Sequence, residues 1–324
     1  MSSEIVAITI GDTKGIGLKI LFKSIKENKI KKFVLFCNYK IIDKYLKKER
    51  INIEINLIKN NKKLNYHNKK LNIYSFNTNS LEENTVKSLK YAYIFCKNKV
   101  CIGIITLPLR KDLIKRKIDK NFIGHTEYFQ KLDKKKNSNM ILFHKKIIIS
   151  TITTHIPVNR ISNIILNKQF LYNQINNLYK TLKIDFNIKK PRIIISGFNP
   201  HSGENGQIGL EEIKSIIPVI KKLKKGGLLI DGPSSPDSIL IKKNLKKYNC
   251  FVFIYHDQAL IPFKFISQFT GVNYTGNLDI IRTSPDHGTA YDLIKNKKIS
   301  NESFINCYKL IKKIHKNRLL NDFS

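Results

Sequence analysis

Three histidines follow apolar runs in this chain: His155 in STITTHIP, His201 in SGFNPHSGENG and His256 in FVFIYHDQ. Imidazole binds borderline divalent metals, and three such ligands leave coordination positions open for a substrate hydroxyl. Their separations of 46 and 55 residues match no local zinc motif, so spacing leaves a shared metal site and three separate structural histidines both open. What unites them is their place at predicted strand ends. The densest polar constellation runs from Tyr255 to Asp292, where Lys264, Asn273, Arg282, Asp286 and His287 interrupt an otherwise apolar segment. Read structurally, Arg282 and Asp286 form a buried ion pair or Asp286 caps a helix. Read functionally, the cations hold a phosphate or carboxylate, a task suited to the planar donor fork of Arg.

A further cluster, Gly124-His125-Thr126-Glu127, is preceded by a strand end at Thr106-Leu107-Pro108-Leu109-Arg110-Lys111. A single His in such a place serves as a hydrogen-bonded neighbour as readily as a catalyst. In ITIGDTKGIG, the residues Gly11, Asp12, Gly15 and Gly17 lie between a strand and a helix. Glycine there lets the backbone approach an anion, and a helix N-terminus favours negative charge. The spacing is neither G-x-G-x-x-G nor a Walker loop, so a tight turn and a phosphate or cofactor site stay open.

These residues need elements to position them. Apolar runs rich in β-branched residues recur at Ile5–Ile10, Phe33–Cys37, Cys101–Thr106, Lys146–Thr151, Arg192–Ser196, Gly227–Asp231 and Phe251–Tyr255, as expected of buried strands. Longer amphipathic stretches lie between them. Ser80–Asn98 is one, with Ser80 and Glu83 spaced as a capping box. The alternation predicts an α/β protein with a largely parallel core, in which ligands bind outside the carboxyl ends of the strands. No internal repeat or long flexible linker breaks the chain, so residues 1–324 read as one catalytic unit.

Bulk properties narrow the function class. At 324 residues and 42% apolar content the chain can bury its own core, which excludes a disordered protein. The formal charge of +35, from 59 Lys+Arg against 24 Asp+Glu, points first to a nucleic acid or anionic membrane. The basic residues are mostly Lys, dispersed end to end with an excess of Asn and Ile, and only Lys59–Lys70 and Lys131–Asn139 form discrete patches, both read as polar loops. That dispersal disfavours nucleic-acid binding. Cys37, Cys96, Cys101, Cys250 and Cys307 sit in apolar surroundings without C-x-x-C spacing, as reduced core residues of a cytoplasmic protein do. No charged n-region with an apolar h-region opens the sequence, and no apolar run approaches the roughly 20 residues of a membrane span.

Taken together, IT-x-GD…GIG, TLPLRK, FIGHTEYF, TTHIP, GFNPHSGENGQIGLEE, DGPSSPDS, YHDQALIPFK and GVN…IRTSPDHGTAYD resemble, nearly end to end and in order, the 4-hydroxythreonine-4-phosphate dehydrogenase family of vitamin B6 biosynthesis. The resemblance implies an isocitrate-dehydrogenase-like α/β fold with two lobes flanking a cleft, approximately 1–125 with 287–324 and 126–286. It implies a homodimer with the active site at the subunit interface. It makes His155, His201 and His256 ligands of one divalent metal per subunit (Zn, Mg or Co), with His256 reaching across the interface. It makes His125, Thr126, Lys264, Asn273 and Arg282 substrate contacts.

The implied reaction is NAD- or NADP-linked oxidation of the secondary alcohol of 4-phosphooxy-L-threonine, with decarboxylation to 3-amino-2-oxopropyl phosphate. The metal would favour both halves. Lys264, Asp257 and Asp286 are the acid/base candidates, unranked. Two departures stand out. The family's opening motif usually continues GDP-x-GIGPE, whereas this chain has Thr13, Leu18 and Lys19 at the positions of Pro, Pro and Glu. After Thr275 it reads Gly-Asn-Leu-Asp in place of Leu-Gly-Leu-Pro. The rival readings are a sister dehydrogenase of a four-carbon sugar-acid phosphate or other diol and, from another class, a basic nucleic-acid-binding protein.

Overall fold

A computed structural model of the chain describes residues 4–58, 64–294 and 299–322. They divide into two compact units, one made of 1–134 with 278–316 and the other of 135–277 with 317–324. Both are α/β.

Unit 1 begins β1 (Val6–Thr9), α1 (Gly17–Lys26), β2 (Phe33–Phe36), α2 (Tyr39–Lys48), β3 (Ile55–Ile58), β4 (Leu71–Tyr74), α3 (Leu81–Lys97), β5 (Gly103–Thr106), α4 (Lys111–Lys117) and α5 (His125–Leu132). Unit 2 follows with β6 (Asn139–His144), β7 (Ile147–Thr151), α6 (Val158–Ile165), α7 (Lys168–Ile184), β8 (Arg192–Ser196), α8 (Ile217–Lys225), β9 (Leu229–Ser234), α9 (Lys242–Lys247), β10 (Cys250–Phe253), α10 (His256–Ser267) and β11 (Val272–Gly276). The chain then returns to unit 1 with β12 (Arg282–Pro285). Its last helix, α11 (Glu302–Asp322), starts in unit 1 and ends in unit 2.

The strand order in unit 1 is β3-β4-β2-β1-β5-β12, and every pair in it is parallel. Strands covered on both faces read as unbroken apolar runs, and VAIT, FVLF and GIIT are buried at every position. The core of this unit is an aromatic and aliphatic cluster that includes Phe36, Tyr74, Leu89, Phe95, Ile104 and Phe129. Phe36 and Phe95 meet edge to face at 5.0 Å between centroids, the arrangement that ring quadrupoles favour. Helix α3 starts where the sequence predicts. Ser80 Oγ accepts from the Glu83 amide at 3.1 Å, while Glu83 Oε2 accepts from Asn79 rather than from Ser80, at 2.7 Å.

Unit 2 has the order β11-β6-β7-β10-β8-β9. The pairs β7/β10, β10/β8 and β8/β9 are parallel, and β11/β6 and β6/β7 are antiparallel. Its core packs Leu142, Ile149, Ile194, Phe251, Phe253 and Phe263. The end of α11 is fastened here. Arg318 Nε donates to Asp185 Oδ1 at 2.7 Å, the Tyr274 hydroxyl donates to Asp185 Oδ2, and Asn317 donates to the Asp185 carbonyl at 2.7 Å. A buried carboxylate is retained where several donors converge on it in this way.

The basic stretch Lys131–Asn139 is not a polar loop throughout. Lys131 and Leu132 close α5, and Asn139, 2% exposed, opens β6 with its amide on Gln174. Of the patch Lys59–Lys70, residues 59–63 lie outside the described residues. All five cysteines are buried and free.

Candidate active site

The strand order β7-β10-β8 places three parallel carboxyl ends side by side. His155 follows β7, His256 opens α10 directly after β10, and His201 follows β8. The rings of His155 and His256 are 5.9 Å apart between centroids and line one cavity of about 310 Å³. His256 Nδ1 is 2.6 Å from Asp257 Oδ1, a contact that fixes the ring and leaves Nε2 facing away from the carboxylate. His201 is exposed, and among the described residues no three His, Cys, Asp or Glu side chains are grouped to hold a metal ion.

His201 sits in a strained loop. His201, Ser202, Gly203, Glu204 and Asn205 all have positive φ, between 43° and 81°. Only glycine enters that region readily, so the four others need external support. Glu212, 1% exposed, supplies it: Oε1 accepts from the amides of Phe198 and Asn199 at 2.7 and 2.9 Å, and Oε2 from Asn199 Nδ2 at 2.8 Å. Glu211 accepts from Asn199 Nδ2 at 2.8 Å and from Ser162 Oγ at 2.6 Å. A side chain at Gly203 would meet Glu212 Oε2 at 2.8 Å. Gln258 joins the neighbouring ends, accepting from Ile254 N at 2.8 Å and donating to the Gly197 carbonyl at 3.0 Å. Sequence reasoning passed over Glu211, Glu212 and Gln258. The available signal was an adjacent pair of acidic residues in IGLEEI, in a chain with 59 Lys+Arg and only 24 Asp+Glu.

Lys264 lies one face along α10 with its ammonium 4.8 Å above the Phe269 ring. Asn273, on β11, has a buried Oδ1 with no hydrogen-bond partner among the described residues, an acceptor left for a ligand.

In unit 1, Arg282 on β12 is 2% exposed. Nε and Nη2 donate to Thr106 Oγ1 at 3.1 and 2.7 Å, and Nη1 donates to Thr126 Oγ1 at 3.4 Å. Burial lowers its pKa to about 10, so it stays charged at neutral pH. His125 opens α5 with a buried Nε2 that has no partner among the described residues. Burial first, then the positive charges of Arg282 and Lys111, push its pKa well below the usual imidazole range, which leaves a neutral ring. Asp286 is 7% exposed and lies beside the start of α11. Its amide donates to Ser303 Oγ at 2.9 Å.

The β1–α1 loop lines a second cavity of about 450 Å³, with Gly11, Asp12, Lys14, Glu82, Arg110 and Tyr291 among its walls. Gly11 has φ +63°, and a Cβ there would lie 2.4 Å from the Pro108 carbonyl oxygen. Asp12 holds the loop by accepting from the Lys14 amide at 2.9 Å and from the Tyr291 hydroxyl. A Cβ at Gly15 would meet the Thr289 carbonyl oxygen at 2.9 Å, and one at Gly17 would meet the Leu107 side chain at 3.3 Å.

Residues 29–311 match the family model described as pyridoxal phosphate biosynthetic protein PdxA. The chain is 34% identical over 315 residues to the 4-hydroxythreonine-4-phosphate dehydrogenase of Sulfurihydrogenibium sp., covering 92% of this chain and 94% of that one. It is 33% identical over 318 residues to the protein of the same name from Aquifex aeolicus, covering 94% and 97%. The crystal structure of the Klebsiella pneumoniae 4-hydroxythreonine-4-phosphate dehydrogenase superposes with a TM-score of 0.84 at 27% identity, covering 97% of this chain and 98% of the other.

Proposed function

We infer the reaction from one premise, that the chain belongs to the PdxA family of pyridoxal phosphate biosynthetic proteins: it is an oxidoreductase that converts 4-phosphooxy-L-threonine to 3-amino-2-oxopropyl phosphate with NAD or NADP. The observation that carries the site is the placement of His155, His201 and His256 after three neighbouring parallel strands, β7, β8 and β10. The three imidazoles suit Zn or Co better than Mg, which favours oxygen ligands, and Asp257 on His256 Nδ1 is the partner a ligating imidazole needs. When bound, the metal and the nicotinamide supply Lewis acidity and a hydride acceptor.

The protein's own groups do the rest. Arg282 and Thr126 bind an anionic end of the substrate, with Thr106 orienting the guanidinium. Neutral His125 and the buried Oδ1 of Asn273 meet its polar groups. The proton released from the alcohol passes to Lys264 or Asp286. Asp257 acts as the orienter of His256 rather than as the base. The cavity formed by Gly11, Asp12 and Tyr291 takes the dinucleotide.

The enzyme works as a homodimer in the cytoplasm, with the metal shared between subunits. Exposed apolar side chains on and just beyond the helix that carries His256 support that reading: Ile261 is 71%, Phe265 78% and Phe269 57% exposed. Among the described residues, no helix is long and apolar enough to cross a membrane. Mixing His201→Ala with His256→Ala subunits tests the sharing, because a site built across the interface regains one intact copy per mixed dimer and a site built within one chain regains none.

The deciding assay follows NADH or NADPH formation from 4-phosphooxy-threonine with each dinucleotide and a metal series. Turnover only with metal is expected. Faster turnover of four-carbon sugar-acid phosphates would replace the reading with a sister dehydrogenase. Absence of both activities together with tight, salt-sensitive nucleic-acid binding would replace it with a basic binding protein.

A further inference from the structure

The wall of the 450 Å³ cavity that contains Tyr291 and Ile294 is fastened by side chains the family motif does not provide. Lys19, on α1, donates from Nζ to the Ile294 carbonyl at 2.9 Å. Lys23, one turn on, donates to the Ile299 carbonyl at 2.7 Å. Residues four apart share a face of a helix, so one edge of α1 holds two points of the same returning segment. Two further ties reach it from the β1–α1 loop: Tyr291 donates to Asp12, and the Ile16 amide donates to the Thr289 carbonyl at 3.0 Å.

Position 19 is where the resembling motif ends in Glu. A carboxylate accepts hydrogen bonds and cannot donate one to a carbonyl oxygen, whereas an ammonium offers three donors and no acceptor. The bond exists in this chain because the residue departs from the motif.

We propose that Lys19 is a positioning residue for the dinucleotide pocket: by holding the Ile294 carbonyl it fixes the Tyr291–Ile294 wall and sets how tightly the nicotinamide dinucleotide binds. The inference rests on the reading of this cavity as the dinucleotide site. Among the described residues the polar partners of Lys19 are the Ile294 carbonyl and Glu49, neither of them a proposed substrate contact or metal ligand, so its effect falls on cofactor affinity. Its side chain is 32% exposed and also lies 3.8 Å from Glu49, which bounds the effect. Loss of one charge-assisted, partly solvated hydrogen bond corresponds to a change of about 5- to 10-fold in affinity.

The test is fluorescence titration of NADH into the purified full chain without substrate, for wild type, Lys19→Met, Lys19→Arg and Lys19→Glu, alongside steady-state kinetics. Lys19→Met, which keeps the apolar stem, is expected to weaken NADH binding and raise the dinucleotide KM by about 5- to 10-fold. kcat and the KM for the phosphorylated substrate should stay within about twofold. Lys19→Arg restores affinity, and Lys19→Glu weakens it at least as far as Lys19→Met. Unchanged NADH affinity in Lys19→Met, or a fall in kcat with no change in dinucleotide KM, overturns the proposal and leaves the cavity reading intact. A cavity-filling Leu113→Trp variant that binds NADH as well as wild type overturns the cavity reading and the proposal with it.

Discussion

Replacing Glu212 by Gln tests whether the His201 loop is held as the geometry indicates. The carboxylate accepts three hydrogen bonds and is 1% exposed. A hydrogen bond to a buried charge contributes about 1.5–3 kcal/mol, against about 0.5–1.5 for a neutral pair. The amide oxygen of Gln can keep the Phe198 and Asn199 amides at the lower strength, a loss of roughly 2 kcal/mol for the two. Its NH2 then faces Asn199 Nδ2, donor against donor, which adds about 1 kcal/mol or more. A local loss near 3 kcal/mol corresponds to about a 100-fold rise in the opening of this loop. Hydrogen exchange of the Phe198 and Asn199 amides reads it directly, with amides in β6 and β7 as internal controls. A chelator-competition titration with Zn or Co gives the second readout, in which affinity should fall by about 10- to 100-fold. If exchange at 198–199 stays at the wild-type rate, Glu212 does not hold the loop and the account of His201 fails.

Arg282→Lys keeps the charge and loses the planar fork, so the KM for the phosphorylated substrate should rise about 10- to 100-fold; a KM within twofold of wild type would remove Arg282 from substrate binding. Asp257→Asn should weaken metal binding about 10-fold by releasing the His256 ring, measured by the same chelator competition, and an unchanged affinity would return Asp257 to the acid/base candidates. His125 has its pKa depressed by burial and nearby cations, so the unfolded chain binds the proton more readily than the folded one. The associated stability is present above the unfolded pKa of about 6.5 and is lost as pH falls toward the depressed folded value. Urea midpoints between pH 7 and about 5 should therefore drop less steeply in His125→Gln than in wild type, and parallel slopes would refute the assignment.

The strands legible in the sequence were those with largely apolar character: Val6–Thr9, Phe33–Phe36, Gly103–Thr106, Ile147–Thr151 and Arg192–Ser196 lie within the predicted runs, and Leu229–Ser234 and Cys250–Phe253 overlap theirs. Ile55–Ile58 and Leu71–Tyr74 were hidden by polar Asn in four-residue elements, and Asn139–His144 by the lysines just before it. β12 reads RTSP, a sequence with no strand signature, because its role is to bury Arg282 beside β5. The nearness of His155 and His256 was not readable from spacing. It follows from β10 lying parallel to β7, with Phe251 in register with Ile149, a pairing between strands that the sequence separates by β8 and β9. The residues that hold the site were less legible than those that form it. Glu212 and Gln258 look like ordinary helical polar residues until burial shows that they bind loop amides and carbonyls.

The division of the chain between its units has a consequence for the order of synthesis. On the ribosome, residues emerge at about 5–20 per second and domains fold as their sequence becomes complete. Unit 1 is interrupted by unit 2, and β12 with Arg282 pairs onto β5 only after residues 135–277 have been made. Unit 2 in turn waits for Arg318 and Asn317 to reach Asp185. A nascent chain stopped before these residues therefore holds β5 with an unpaired edge and a buried aspartate without its arginine. Neither half can finish before the segment from Leu278 to Arg318 has been made, so chaperone demand should peak as that segment emerges rather than when residues 1–134 or 135–277 do.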